Sequence, residues 1–297
     1  MVSAPRLLSI TASDSVCKLM PELGGSLASW HIGDQAMLRT ASTDNIAASE
    51  PLGMASFPLV PYSNRIGDAR FDWAGERIKL AHTFAPEPHA IHGVGWKSPW
   101  TAERHTDASV TLVLKHAADE HWPWDFEALQ TISITPYELR LDLSVRNLAD
   151  CDVPLAFGHH PYFEQAGASL CFDAGKVWMT GDDQLPSEAI DLAGQFDFRR
   201  GAPIEGRSID HCYAGVLGSA LIEWADRRWA LEIVSPLSAA VVYVPAGGDA
   251  FCFEPVPHIN NALNMPGVMP SMPVIAAGKL FETSIQLKAR LKCAAVK

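Results

Sequence analysis

Residues 157–163 read Phe-Gly-His-His-Pro-Tyr-Phe, and the paired histidines raise the first chemical question. In an extended chain, successive side chains point to opposite faces. Read as one strand over 153–163, Val153, Leu155, Phe157 and His159 share one face, and Pro154, Ala156, Gly158 and His160 share the other. The two imidazoles therefore cannot serve one pocket. His159 ends an apolar row and reads as a core or rim histidine. His160 follows two small residues, which predicts room above the sheet for a ligand. The pattern recurs four times. Glu254 has Ala250 and Cys252 at i−4 and i−2, while Phe251 and Phe253 point the other way. Asp210 shares its face with Cys212 and Ala214. Arg65 lies between Ser63 and Gly67, and His92 follows Ala90 and precedes Gly93 and Gly95. Taken singly, each is most simply a hydrogen-bonded rim residue. Taken together they predict a sheet face carrying an arginine, two histidines, an aspartate and a glutamate. Such a set offers many donors and acceptors, with an acid and a base, and suits a polyhydroxylated ligand.

A metal site is the rival use of these residues. His89 and His92 are three apart, and His258 follows Glu254 by four, but residues three apart on a strand face opposite ways. There is no His-Glu-x-x-His and no paired-cysteine motif, so acid–base chemistry is favoured and no metal is expected. Nucleophilic catalysis fares worse: no Gly-x-Ser-x-Gly occurs, and Cys212 beside His211 is not on its face.

The elements that must position these side chains read as strands. Residues 109–116 and 138–145 alternate apolar and polar residues with period two. Residues 70–80 read as a hairpin turning at Ala74-Gly75, residues 220–235 as a second hairpin, and 239–245 as a buried strand. No long stretch has a convincing helical period with caps. Glycine and proline, 21 of each, punctuate the chain evenly, with no linker or repeat. An all-β fold follows, a large antiparallel β-sandwich spanning residues 1–297 as one domain, with a two-domain β protein as the alternative. Of the nine tryptophans, Trp96, Trp122 and Trp124 are candidate sugar-stacking platforms.

At 48% hydrophobic residues the 297-residue chain can bury a large core. A net charge of −11 argues against nucleic acid and anionic membrane surfaces, allows a neutral small-molecule partner and weakly disfavours a phosphorylated one. Six cysteines, none in a Cys-x-x-Cys pair, suit a reducing compartment. No basic segment leads into an apolar one at the N-terminus, and no run of about 18 apolar residues occurs. A cytoplasmic protein is expected, acting as a monomer or homodimer.

Five stretches, in order, resemble the aldose 1-epimerase (mutarotase) family: residues 64–80, Ile-His-Gly-Val-Gly-Trp at 91–96, His-Pro-Tyr-Phe at 160–163, Ile-Asp-His-Cys-Tyr at 209–213 and Phe-Glu-Pro at 253–255. They span roughly residues 60–265. The resemblance implies a galactose mutarotase-like supersandwich, no cofactor, and interconversion of the α and β anomers of a free aldose. It implies that Asn64, Arg65 and Asp210 hold sugar hydroxyls and that His92 lies close to the ring oxygen. It makes His160 the general acid and Glu254 the general base. Two departures mark a divergent branch: Val94 stands where a second glycine is frequent, and Pro161 where galactose mutarotases tend to have Thr or Ser.

Anomer exchange needs a base to take the proton from the C1 hydroxyl while an acid protonates the ring oxygen. Glu254 must then be ionised and His160 protonated, which predicts that they sit close enough for each to favour the other's charge. Two other functions fit the same scaffold. An enzyme acting on a hexose 6-phosphate or an acidic sugar needs a basic cluster at the rim, for which Arg199, Arg200 and Arg207 are the candidates. A non-catalytic sugar-binding protein needs no acid–base pair.

Overall fold

Period-two segments fold as strands where the sequence places them. In the computed structural model, which describes residues 7–84 and 86–292, Ser109–His116 and Glu138–Asn147 are strands. Arg70–Trp73 and Glu76–Lys79 form the first hairpin. Ala74 and Gly75 both have positive φ there, the geometry a tight hairpin turn requires. Leu217–Trp224 pairs with Trp229–Val234 as the second hairpin, and Ala239–Val244 is a buried strand. Among the described residues the one α-helix is Thr43–Ala48, which Ser42 caps by accepting the Asn45 N–H. No helix among the described residues is long and apolar enough to cross a membrane.

Two large sheets make up the architecture. The first has eleven strands. It runs from Leu8–Ala12 through Ser15–Met20, Ser26–Ile32, Ser56–Leu59, Gly158–Glu164, Ala250–Val256, Ala239–Val244, Ile209–Ala214 and Lys176–Thr180 to Pro186–Ile190, with Gln35–Ala36 beside Ser26–Ile32. The second has nine, with Ser109–His116, Phe126–Thr135, Glu138–Asn147 and Leu280–Leu291 adjacent in that order. The ladders are antiparallel. Between the sheets lies the main core, where Leu112, Ile132, Leu141 and Ile285 meet Phe163, Tyr213, Val242, Phe251 and Phe253.

A second apolar cluster covers the outer face of the eleven-stranded sheet: Phe57, Tyr162, Cys212, Val241, Ala250 and Cys252, roofed by Ile91, Trp96 and Ile259. The central strands of this sheet are consequently buried on both faces. Alternation there divides one core from another instead of core from solvent.

Two expectations change. Residues 153–163 are not one strand: Val153–Pro154 pairs with Val274–Ile275, and the chain then crosses to begin Gly158–Glu164 beside Ser56–Leu59. In the crossing, the Leu155 and Ala156 N–H groups donate to the carbonyls of Pro273 and Pro61. Trp122 and Trp124 are packing residues. Trp122 is wholly buried in the main core, and Trp124 packs against it and Phe71.

Candidate active site

All six residues that the sequence singles out, Asn64, Arg65, His92, His160, Asp210 and Glu254, line one cavity of about 590 Å³ on the outer face of the eleven-stranded sheet. Its floor is built by register. Tyr162 pairs with Cys252, Cys252 with Tyr243, and Tyr243 with Asp210, in one row across four strands. Two residues along, the same ladder brings His160 against Glu254, and Nε2 of the imidazole lies 3.2 Å from a carboxylate oxygen. Phe57 and Tyr162 pack on the His160 ring, with centroids 4.5 and 4.7 Å away. The guanidinium of Arg39 lies 3.7 Å above the Tyr162 ring.

The walls come from loops. Asn64 and His92 both have positive φ, 55° and 61°, a conformation uncommon for residues with a Cβ and often found at functional sites. Each helps to hold the other. The His92 N–H donates to the Asn64 carbonyl, and the Asn64 N–H donates to His92 Nδ1 at 3.2 Å. Because Nδ1 accepts, the His92 proton resides on Nε2. Gly93 follows at φ 67°, and a Cβ there would stand 2.4 Å from the Val60 carbonyl oxygen, so this wall admits only glycine. Asn261 secures the other side, donating its N–H to the Arg65 carbonyl and accepting the Gly67 N–H.

Arg65 arrives at the cavity already partnered. Its Nε and one Nη donate to both oxygens of Glu87 at 3.3 Å, the same Nη donates to Gln184, and the other lies 3.8 Å from Asp210. Glu87 and Gln184 also line the cavity and have no signal in the sequence. They sit in irregular segments far from Arg65 along the chain, so only the fold brings them together. Tyr162, Tyr243 and Phe57 escaped notice because a lone aromatic in an apolar strand looks like core. Trp96 lines the cavity while almost wholly buried.

Strand parity separates the two histidines as expected. His159 points into the sheet-to-sheet side, fully buried, with Nδ1 bonded to Ser56 Oγ and Nε2 unpartnered. The small neighbours of His160 have another reason, however. Ala156 belongs to the main core, and a Cβ on Gly158 would lie 3.1 Å from the Pro255 carbonyl oxygen. They accommodate backbone, not ligand. Ala250 and Cys252 do share the cavity-side cluster with Glu254's face.

Burial sets the electrostatics. It pushes the Glu254 carboxyl well above the usual carboxylate range, with Asp210 adding to the shift, and pulls the His160 imidazole well below its ordinary value. The pair is as close as expected, but its surroundings favour the neutral arrangement over two charges. Burial also takes His92 down to about 3, with the Arg65 charge assisting, so it is a neutral donor. The Asp210 carboxyl is raised by burial and held back by Arg65.

Of the residues weighed as metal ligands, His89 and His258 have structural roles and do not line the cavity. His89 accepts the Asp68 N–H and bonds the Asp183 carbonyl. His258 accepts the Ser63 N–H and bonds the Ile259 carbonyl. Arg199, Arg200 and Arg207 do not line the cavity. Arg199 pairs with Asp197, and Arg207 bonds the carbonyls of Pro203 and Gln195.

Comparison with known proteins agrees with this architecture. The model of the aldose 1-epimerase family matches residues 6–285. The chain is 29% identical over 267 residues to the uncharacterized protein YphB of Escherichia coli K12, covering 84% of this chain and 87% of that one. A galactose mutarotase-like protein from Clostridium acetobutylicum superposes with a TM-score of 0.87 at 18% identity, over 97% of this chain and 96% of that one. The aldose epimerase homologue from C. elegans gives 0.82 at 18% identity, over 98% and 100%. Those identities speak for the fold alone. With the family match spanning nearly the whole sequence, the chain belongs to the aldose 1-epimerase family.

Proposed function

We propose that this protein is a mutarotase that interconverts the α and β anomers of an uncharged free aldose by acid–base ring opening and closure. The observation that carries the reading is the buried His160–Glu254 contact of 3.2 Å at the floor of a cavity where Asn64, Arg65, His92 and Asp210 stand beside the apolar Leu52, Phe84, Ile91 and Trp96. Glu254 takes the proton of the C1 hydroxyl while His160 gives one to the ring oxygen, and the C1–O5 bond breaks. The open-chain aldehyde turns about C1–C2, and closure reverses both transfers. The pair holds one proton throughout, on His160 in the ring complex and on Glu254 in the open-chain complex. Burial favours the neutral pair, so the ionised state that starts the reaction depends on the bound sugar's hydroxyl and ring oxygen meeting Glu254 and His160. His92 Nε2–H supplies a neutral donor near the ring oxygen, while Asn64, Arg65 and Asp210 hold the remaining hydroxyls during rotation.

The charge of the cavity supports an uncharged sugar over a phosphorylated or acidic one. Arg65 is the one Lys or Arg among the described lining residues, and it is engaged by Glu87 and Asp210. A mere sugar-binding protein has no use for a buried carboxyl against an imidazole, whose desolvation is costly. The test is polarimetry, or NMR exchange between anomers, on freshly dissolved aldoses with and without protein. Acceleration on at least one neutral aldose, lost in Glu254→Gln, is expected. A protein that binds aldoses without changing their anomer exchange refutes the proposal.

A further inference from the structure

Cys252 takes no part in those proton transfers, yet it completes a constellation with the two groups that do. Its thiol, the His160 imidazole and a Glu254 carboxylate oxygen all lie within 4.8 Å of one another. All three side chains are buried, and Cys252 and Glu254 are at most 1% exposed. Glu254 Oε2 and His160 Nδ1 have no hydrogen-bond partner. A buried carboxylate oxygen without a donor is an expensive feature that a ligand would relieve.

We propose that Cys252, His160 and Glu254 form a binding site for a thiophilic divalent cation, zinc by its chemistry, and that the ion blocks the cavity floor. Three donors of this kind with one open position are the set found around zinc when the fourth ligand is exchangeable. The spacing is close to ready. Ligands about 2.0–2.1 Å from zinc at a tetrahedral angle stand roughly 3.3 Å apart, and the Nε2–Oε1 separation is 3.2 Å. A thiolate and a carboxylate bring two negative charges, which cancel those of the ion in a site that tolerates net charge poorly. Calcium and magnesium need six or more oxygen ligands and do not suit this trio. The origin of the site is register: Cys252 and Glu254 share a face at i, i+2, and the neighbouring strand, paired Tyr162 to Cys252, supplies His160.

The ion and the sugar compete for the same two groups. Binding of the ion rests on the constellation alone, whereas inhibition of turnover rests also on the proposed function, so the two are measured separately. Cobalt(II) and zinc(II) are titrated into the reduced full-length protein. One ion per chain is expected, with a cobalt–thiolate charge-transfer band that zinc removes. Cys252→Ala should abolish the band and weaken zinc binding at least ~10-fold. A wild-type protein without the band, or an alanine variant that keeps both band and affinity through its other thiols, overturns the site. Glu254→Gln, nearly isosteric, gives a second arm should the alanine variant not fold: a loss of at least ~10-fold supports the site and an unchanged affinity overturns it. In the activity assay, zinc should inhibit the wild type, a chelator should restore it, and Cys252→Ala should need at least ~10-fold more zinc. Anomer exchange that stays insensitive to zinc at concentrations where binding is saturated overturns the blockade while leaving the proposed function standing.

Discussion

Phe126–Thr135 and Glu138–Asn147, within the nine-stranded sheet, alternate buried and partly exposed residues along nearly their whole length. Gly158–Glu164 and Ala250–Val256, in the middle of the eleven-stranded sheet, are buried at almost every position. The first pair needs one packed face. The second needs two, one against the main core and one forming the floor of a cavity. A polar residue in the first pair meets water and costs little. A polar residue in the second is desolvated, and its ionisation is shifted accordingly. The desolvated ionisable groups His160, Glu254 and Asp210 therefore gather on the sheet whose strands look least like half-exposed strands.

The largest effect that would break this contrast is on turnover. Glu254→Gln and His160→Asn, on the doubly buried strands, should each lower kcat by roughly 10²–10⁴ with the fold retained, the worth of one positioned proton-transfer group. Steady-state rates and far-UV circular dichroism on the same samples check this. Leu141→Ala in the nine-stranded sheet should do the reverse. Leu141 is 2% exposed between the sheets, so its truncation should cost about 2–5 kcal/mol of stability while kcat per folded molecule stays within about twofold. Chemical denaturation alongside the rate assay separates the two. If both classes of variant lose stability and rate in equal measure, the division of labour between the sheets fails.

Acid sharpens the comparison. Burial holds His159 and His92 at about 3 and His258 at about 4, below the ordinary value near 6.5 of the unfolded chain. The unfolded state then binds protons that the folded state refuses. Their contribution is fully present above pH ~6.5 and is lost as pH falls toward the folded values, by up to about 1.4 kcal/mol per unit for each histidine. Thermal midpoints should fall steeply between pH 6 and 4. Replacing His159 tests the back of the strand. His159→Asn should change stability by about 1–3 kcal/mol through its bond to Ser56 and leave kcat nearly unchanged. Loss of turnover at unchanged stability would transfer the acid role from His160 to His159. The smallest effect expected is that of Asp210→Asn, which should mainly raise KM for those sugars whose hydroxyl it grips, with kcat falling only where positioning is lost.

Much of this was legible without coordinates, for unequal reasons. Ser109–His116 announces itself because one face is wet, and Ala74-Gly75 because only a tight turn tolerates positive φ at two successive residues. Glu254 stands out as a lone ionisable residue in an apolar run and the His159-His160 pair as polar residues ending another, and parity then distinguishes His160 from His159. The break at 155–157 was not legible, because a crossing that satisfies Leu155 and Ala156 through Pro273 and Pro61 depends on partners far along the chain. Gly158 misled for the same reason: its smallness answers the Pro255 backbone on another strand. Glu87 and Gln184 lie in irregular segments whose relation to Arg65 no periodicity encodes.

On the proposed reading, the chemistry at the anomeric centre and most of the grip on the sugar are carried by different kinds of backbone, Asp210 on strand Ile209–Ala214 being the holder that shares the ladder. His160 and Glu254 are fixed by a ladder of main-chain hydrogen bonds, while Asn64, Arg65, His92, Glu87 and Gln184 project from loops and two-residue pairings around it. Insertions and substitutions are tolerated in loops far more readily than in the middle of a sheet. A lineage can thus inherit the reaction intact while its descendants drift from one sugar to another, one loop at a time.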